Sequence, residues 1–535
     1  MKTKKLAYDV NEMPPIGKSI ILALQHVFAM FGATVLVPIL VNAAVAGAGV
    51  EGEALSIAVA LVTAGLGTLI YIACTRAKSP VFLGSSFAFI SPIAAAYIAG
   101  GLGGAMTGVM LIGIIYFIVS MIIRFAGKKW IDKVLPPIVI GPMIMIIGLS
   151  LAGSAVNNIF DVQYDTISYA EVRYEDGKEV ETITNKDVEI EDDSVIVETK
   201  SEDEDGKIVI TKAVQVEKVK GIQWKGPLVA LITFLTTALV MTRAKGFFKI
   251  IPFLVGIVVG YISACIFGLV NFDAVSSAAW FQVPNFHVPF VHYKPSFWIA
   301  LTMAPIALVT MAEHIGDHKA LSAIIDRDLL QDPGLENTLM GDGIATFAAG
   351  LLGGPANTTY GENTSVVGMT RNASVGVIGL AAVFAIILGF LGKFTALVQT
   401  IPNPVLGGVC LLLYGFISVN GLKVLIQNQT DFSQNKNIII ASAMLVLGLG
   451  GAAFSIATGN GMSVSISGMS LAAIVGIILN LLLPNEGGET EELVATNSVE
   501  DLKEAIKSEL TVELKDEILE EIRKEILEEK KAKNK

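Results

Sequence analysis

The segment Met311-Ala-Glu313-His314-Ile-Gly316-Asp317-His318 places four ionisable side chains at the end of an otherwise apolar run. On a helix, spacing of four sets Glu313 and Asp317 on one face and His314 and His318 on the next. A histidine pair at this spacing could ligate a metal, but the His-Glu-x-x-His order is absent and no third ligand is evident, so no metal is expected. An ionisable side chain at membrane depth is costly unless paired or wetted, which makes each one a functional candidate. Glu313 lies well inside the apolar run and ranks first. Asp317 and His318 approach a basic connection, where plain solvation would account for them.

A second cluster, Asn357-Thr358-Thr359-Tyr360-Gly361-Glu362-Asn363-Thr364, opens a short helix with a carboxylate in its first turn. Free N–H groups at a helix start can donate to a carbonyl, and Glu362 can accept from an N–H or simply cap the helix. The same geometry is expected at Ser86 and Phe87, where open amides would meet a ring able to stack on a flat ligand. In the first apolar run, Gln25-His26 suits either an interhelical hydrogen bond or support of the site. A planar ring with alternating C=O and N–H groups complements this set, with carboxylates for its N–H groups and helix-start amides for its oxygens. Uracil and xanthine both fit.

The elements that must carry these residues are membrane spans. Of 535 residues, 53% are hydrophobic and 16% charged, with mean hydropathy +0.64, against about 25% charged in soluble domains. Apolar stretches near the ~20 residues needed to cross a bilayer recur along the chain, about seven in each half. The first follows Met-Lys-Thr-Lys-Lys without a small-residue cleavage site and reads as a retained span. Connections carrying Arg76 and Lys78; Arg124, Lys128, Lys129 and Lys133; Arg243, Lys245 and Lys249; and Lys319 and Arg327 alternate with connections near 44–54, 100–102 and 456–467 that hold no Lys or Arg. That asymmetry predicts both termini in the cytoplasm, with Trp130, Trp224, Trp280 and Trp298 as interfacial anchors among the lipids. Cys74, Cys265 and Cys410 all sit in apolar stretches, so neither a disulfide framework nor a thiolate metal site is suggested.

Two segments break the pattern at matching places. Ser79-Pro80-Val81-Phe82-Leu83-Gly84-Ser85-Ser86 precedes the third apolar helix, and Gly354-Pro355-Ala356-Asn357-Thr358-Thr359-Tyr360-Gly361 precedes the tenth. Non-helical backbone at membrane depth survives only where protein buries it or water lines it, so paired interruptions point to a transport site or, more plainly, to re-entrant structural loops. No nucleophile and base pair or complete metal set is present, so no enzyme is expected.

Two soluble additions complete the chain. The formal charge of −11 divides into −10 for residues 161–220, −7 for 485–535 and +6 for the rest. Alternating apolar and charged residues in 161–221, with Asp176-Gly177 and Asp205-Gly206 as turn signals, predict a β-rich appendage outside the membrane. Beyond Pro484, Leu502, Ile506, Leu510, Leu514, Ile518, Ile522 and Ile526 recur at helical spacing among Glu and Lys. This tail reads either as a cytoplasmic amphipathic helix able to dock a partner or as a solvated charged segment. The expected domains are an N-terminal piece 1–16, a first seven-span set 17–160 and 222–270, the insertion 161–221, a second set 297–484 and the tail 485–535.

At these residues the chain resembles the nucleobase-ascorbate transporter (nucleobase:cation symporter-2) family, its bacterial uracil permeases above all. The likeness rests on LQHVFAMFGATVLVP from Leu24, LGSSFAFISP from Leu83, AEHIGDH from Ala312 and NTTYGENTSVVGMTR from Asn357, and it spans nearly all of 15–484. The resemblance implies an all-α fold of fourteen spans in two inverted seven-span repeats, short antiparallel strands in broken spans 3 and 10, and core and gate domains. It implies proton-coupled uptake of uracil across the cell membrane by alternating access, with no cofactor beyond the coupling proton. Carried over by position, Glu313 and Glu362 would hydrogen-bond the ring, Phe87 would line the pocket, and Tyr360 and Gly361 would offer main-chain contacts. Glu313 for preference, with Asp317, would couple the proton, supported by His26, Gln25, Ser86 and Asn363. A homodimer is the usual assembly among relatives, and nucleic acid is not an expected partner. Ser365 stands where the family usually has Gly, Asp317 where some uracil permeases have His, and the 161–221 connection is longer than usual. Rival readings are a xanthine or purine permease, an anion carrier of the same architecture, and a membrane receptor or scaffold.

Overall fold

The computed structural model describes residues 6–50, 54–160, 224–249, 251–452 and 468–484, together with strands within 164–219 and 454–466. Among these residues six helical runs are long and apolar enough to cross a membrane: Ile16–Gly47, Ile57–Cys74, Phe87–Ala126, Pro137–Phe160, Lys225–Arg243 and Asn403–Gln427. Four shorter apolar helices, Pro252–Ile266, Val375–Gly389, Asn435–Leu449 and Gly468–Leu482, accompany them. The candidate residues lie elsewhere, on the more polar helices Ile306–Ile325 and Leu335–Leu352 and on the ten-residue helix Gly361–Thr370. The Phe87–Ala126 run is broken at Gly100 and Gly101. Gly101 has φ +60°, which is costly for a residue with a Cβ.

The helices pack in two groups, each drawing on both halves of the chain. Ile57–Cys74 packs on Val375–Gly389 and Leu335–Leu352, and the latter also packs on Ile90–Ala126. In the other group, Asn403–Gln427 packs on Pro137–Ser150, Ala152–Phe160 and Lys225–Arg243, while Asn435–Leu449 packs on Gly468–Leu482. Buried aliphatic side chains such as Leu36, Ile93, Met106, Ile146 and Val405 belong to one continuous cluster. A membrane supplies no hydrophobic drive between helices, so close packing of such surfaces must hold the groups together.

The two Pro- and Gly-containing interruptions meet. Strands Leu83–Ser85 and Asn357–Thr359 pair antiparallel, Leu83 opposite Thr359, Gly84 opposite Thr358 and Ser85 opposite Asn357. Pairing continues one residue at each end, from the Ser86 N–H to the Ala356 carbonyl and from the Tyr360 N–H to the Phe82 carbonyl. The second helix serves one edge of this two-stranded sheet and anchors Asn357. Thr68 Oγ1 accepts from the Leu83 N–H at 2.9 Å, and Asn357 Nδ2 donates to the Thr63 carbonyl at 3.1 Å. Buried backbone thus finds partners where neither helix nor water supplies them.

In the long connection, Lys178–Thr184, Ala170–Glu175, Ile208–Gln215 and Val195–Glu202 form a four-stranded antiparallel sheet in that spatial order. Tyr164–Thr166 pairs with Glu217–Val219 where the chain enters and leaves. The turn residues Asp176-Gly177 and Asp205-Gly206 lie outside the described residues, as does the tail 485–535. One boundary differs from expectation: the thirteenth apolar stretch ends its helix at Leu449, and Phe454–Thr458 pairs with Met462–Ile466 as a hairpin. Alternating Ser with Val, Ile and Ala favours a strand there, which hydropathy alone does not distinguish from a span end.

Candidate functional site

The helix Ile306–Ile325 brings Glu313 and Asp317 against the start of Gly361–Thr370. Thr359 Oγ1 donates to Asp317 Oδ2 at 2.6 Å, and the Asp317 carboxylate sits 3.5 Å from where a Cβ on Gly361 would project. Glu313 interacts electrostatically with Asp317, Glu362 and Asp342, so four carboxylates share one neighbourhood. Glu362 lines a cavity between the two helix groups, with Phe28, Gly32, Phe253 and Leu413 among its walls. Glu362 stands in the first turn of Gly361–Thr370, where a carboxylate complements the open amides of the helix start. Within the helix, the amides of Gly361, Glu362 and Asn363 have no intrahelical acceptor.

Several sequence expectations change. Asp317 is not merely solvated near a basic connection: it is half-buried and bonded to Thr359, because the strand pair delivers Thr359 to it. His318 is fully buried rather than solvated, since it turns toward the second helix. At the third span the Ser86 N–H is not open, because the strand pairing extends to Ala356 and consumes it. That span starts with a 3-10 turn, Phe87–Phe89, packed on the Ile306–Ile325 helix, and the half-buried Phe87 ring stands where the two apolar clusters meet.

Other assigned residues are supports. His26 is fully buried, and Asn363 Nδ2 donates to its Nδ1 at 3.2 Å and to its carbonyl at 3.1 Å, tying the first helix to the tenth-span helix. A donor on that side fixes the neutral ring with its proton on Nε2. Gln25 is half-buried, with no hydrogen-bond partner for Oε1 among the described residues.

Tyr360 faces inward. Its hydroxyl donates to the Ser85 carbonyl at 2.9 Å and meets the Thr34 hydroxyl at 2.9 Å, and its ring stacks on Phe82. Gly84 makes room for it, since a Cβ there would lie 2.5 Å from the ring. Tyr360 therefore pins both helix starts and the first helix to one another. Tyr360→Phe leaves the buried Ser85 carbonyl without this donor, at a cost of about 1–3 kcal/mol. A lower thermal unfolding temperature in detergent, with full-length protein still produced, is the expected result.

Sequence reasoning missed Asp342. It lies in Gly341-Asp342-Gly343, inside an apolar stretch, and the rule that flagged Glu313 applied to it equally. Asp342 and His314 are both completely buried, with Oδ2 and Nδ1 2.8 Å apart.

Residues 17–180 and 207–457 match the model of the Permease family. The uracil permease of Bacillus caldolyticus is 42% identical over 498 residues, covering 92% of this chain and 98% of the relative. The chain belongs to the nucleobase-ascorbate transporter family. The uracil permease of Bacillus subtilis (strain 168) is 41% identical over 497 residues, covering 92% of this chain and 99% of the relative. That of Escherichia coli (strain K12) is 36% identical, covering 89% and 94%. Among solved structures, the transmembrane domain of the cyanobacterial bicarbonate transporter BicA aligns with TM-score 0.50 at 14% identity, covering 88% of this chain and 98% of that one. The murine anion transporter Slc26a9 in its inward-facing state aligns with TM-score 0.54 at 10% identity, covering 88% and 69%. At such identities they establish a shared membrane fold alone. The family member described here is an integral membrane permease, a transporter and not an enzyme.

Proposed function

We propose that this permease takes up uracil across the cell membrane by alternating access, driven by a proton gradient. The observation that carries the reading is the meeting of Glu313 and Glu362 with two helix starts held by one strand pair. Carboxylates accept the ring N–H groups, and open amides donate to its carbonyl oxygens. Relatives that are uracil permeases support the substrate. The two helix groups, each built from both halves of the chain, support a core moving against a gate as two inverted seven-span repeats. The Lys and Arg pattern supports cytoplasmic termini. Glu313 carries the coupling proton, Asp317 beside it, and the assembly is a homodimer.

One rival is an anion carrier of the same architecture. Carboxylates from Glu313, Asp317 and Glu362 at the site argue against it, because like charges repel an anionic substrate.

Radiolabelled uracil uptake into proteoliposomes under an inward proton gradient tests the proposal. Uptake collapses with a protonophore, resists excess xanthine, and falls at least about tenfold in Glu362→Gln, as loss of a charge-assisted hydrogen bond worth about 1.5–3 kcal/mol requires. Block by xanthine would move the substrate to purines, and bicarbonate uptake without uracil uptake would move it to anions.

A further inference from the structure

A second polar assembly lies behind the carboxylates and takes no part in the binding scheme above. His318 Nδ1 lies 2.7 Å from the carbonyl of His314, His318 Nε2 lies 2.6 Å from Tyr71 Oη, and Tyr71 Oη lies 2.9 Å from Ser79 Oγ. All three side chains are completely buried. Ser79 follows Lys78, whose exposed ammonium pairs with Asp332 at 2.6 Å on the basic face of the molecule. Two hydroxyls and an imidazole therefore link the residue that follows Lys78 to the residue that follows Asp317.

The carbonyl fixes its polarity. A carbonyl only accepts, so His318 Nδ1 carries a proton and, in the neutral ring, Nε2 must accept. In that neutral state Tyr71 would donate to His318 and Ser79 to Tyr71, whereas the structure has Tyr71 Oη donating to Ser79 Oγ, the direction that goes with a donor at His318 Nε2. In the imidazolium both nitrogens donate, and every bond reverses: His318 to Tyr71, Tyr71 to Ser79. A single proton passing along the chain converts one polarity into the other, which is the property of a proton wire.

The groups facing the wire suit that task. From its own helix His318 meets His314, with ring centroids 4.1 Å apart, and has Asp317 as its sequence neighbour. Asp342 on Leu335–Leu352 and Cys74 on Ile57–Cys74 face Tyr71. His314 Nε2 and Asp342 Oδ1 are buried polar atoms without a hydrogen-bond partner among the described residues.

We infer that Ser79, Tyr71 and His318 form the arm through which the coupling proton leaves the carboxylate cluster for the basic face. The inference rests on the proton-coupled reading above. In release, the imidazolium Nε2 proton passes to Tyr71 Oη, the Tyr71 proton to Ser79 Oγ, and the Ser79 proton to water beneath Lys78. His318 is left neutral, with Nδ1–H still on the His314 carbonyl. Reloading requires the ring to swing from Tyr71 toward Asp317 and take one proton from the carboxylate side.

The test separates net transport from exchange. In proteoliposomes with a lumenal pH dye, uracil added outside drives acidification, while radiolabelled uracil counterflow at equal pH needs no proton release. Tyr71→Phe removes the middle proton and is expected to slow both acidification and gradient-driven uptake at least about tenfold, with counterflow within about twofold of the parent. His318→Gln, which keeps a donor and an acceptor but cannot ferry a proton, gives the same split and decides the matter if Tyr71→Phe does not fold. Parallel loss of counterflow would assign the triad a structural role and overturn the wire. Unchanged acidification in both variants would do the same. A parent protein that moves uracil without acidification would overturn the coupling reading, and the wire with it.

Discussion

Glu313→Gln is expected to abolish accumulation: under an inward proton gradient, the steady-state ratio of internal to external uracil falls to unity. The substitution keeps size and one acceptor oxygen but removes the charge and the site for a proton. Loss of a charge-assisted hydrogen bond worth about 1.5–3 kcal/mol weakens substrate binding by roughly tenfold to a hundredfold or more. Loss of the titrating group also removes the link between gradient and substrate, so no amount of bound uracil restores concentrative uptake. Steady-state accumulation in proteoliposomes, normalised to reconstituted protein, measures it. A ratio that stays above unity and collapses with a protonophore would place the coupling proton elsewhere, with Asp317, hydrogen-bonded to Thr359, as the next carrier.

The second large effect is on stability. Asp342 and His314 form a pair at 2.8 Å with neither side chain reaching solvent. Removing one partner of a buried pair leaves the other's polar atoms stranded and costs about 3–5 kcal/mol. Asp342→Ala and His314→Ala should each lower the thermal unfolding temperature in detergent by similar amounts. The double variant should be little worse than either, because the second deletion removes the stranded group. Additive losses would mean that the two residues are held by other neighbours and that the pair contributes little.

Much of the candidate site was legible because the bilayer makes polar residues conspicuous. Glu313 and Glu362 stand out in apolar runs, and Pro and Gly beside hydroxyl residues mark the two interruptions. Asp342 was equally visible and was passed over. The errors at Ser86, Asp317 and His318 have a common cause. Each side chain or amide is decided by what another part of the chain brings to it: Ala356 to the Ser86 amide, Thr359 to Asp317, Tyr71 to His318. Helical spacing gives the face on which a residue lies but not the element opposite.

The sequence by itself determined that this is a polytopic membrane protein, where its interrupted segments fall and which family it joins, because hydropathy, charge asymmetry and four local motifs are properties of short stretches. Only the tertiary structure decided that Leu83–Ser85 and Asn357–Thr359 pair, that the Tyr360 side chain serves as an internal pin, and that His314 and His318 belong to two buried networks. Those outcomes depend on contacts between residues up to hundreds of positions apart. In a membrane a buried backbone donor must find its acceptor inside the protein, and which acceptor it finds is set when the helices pack.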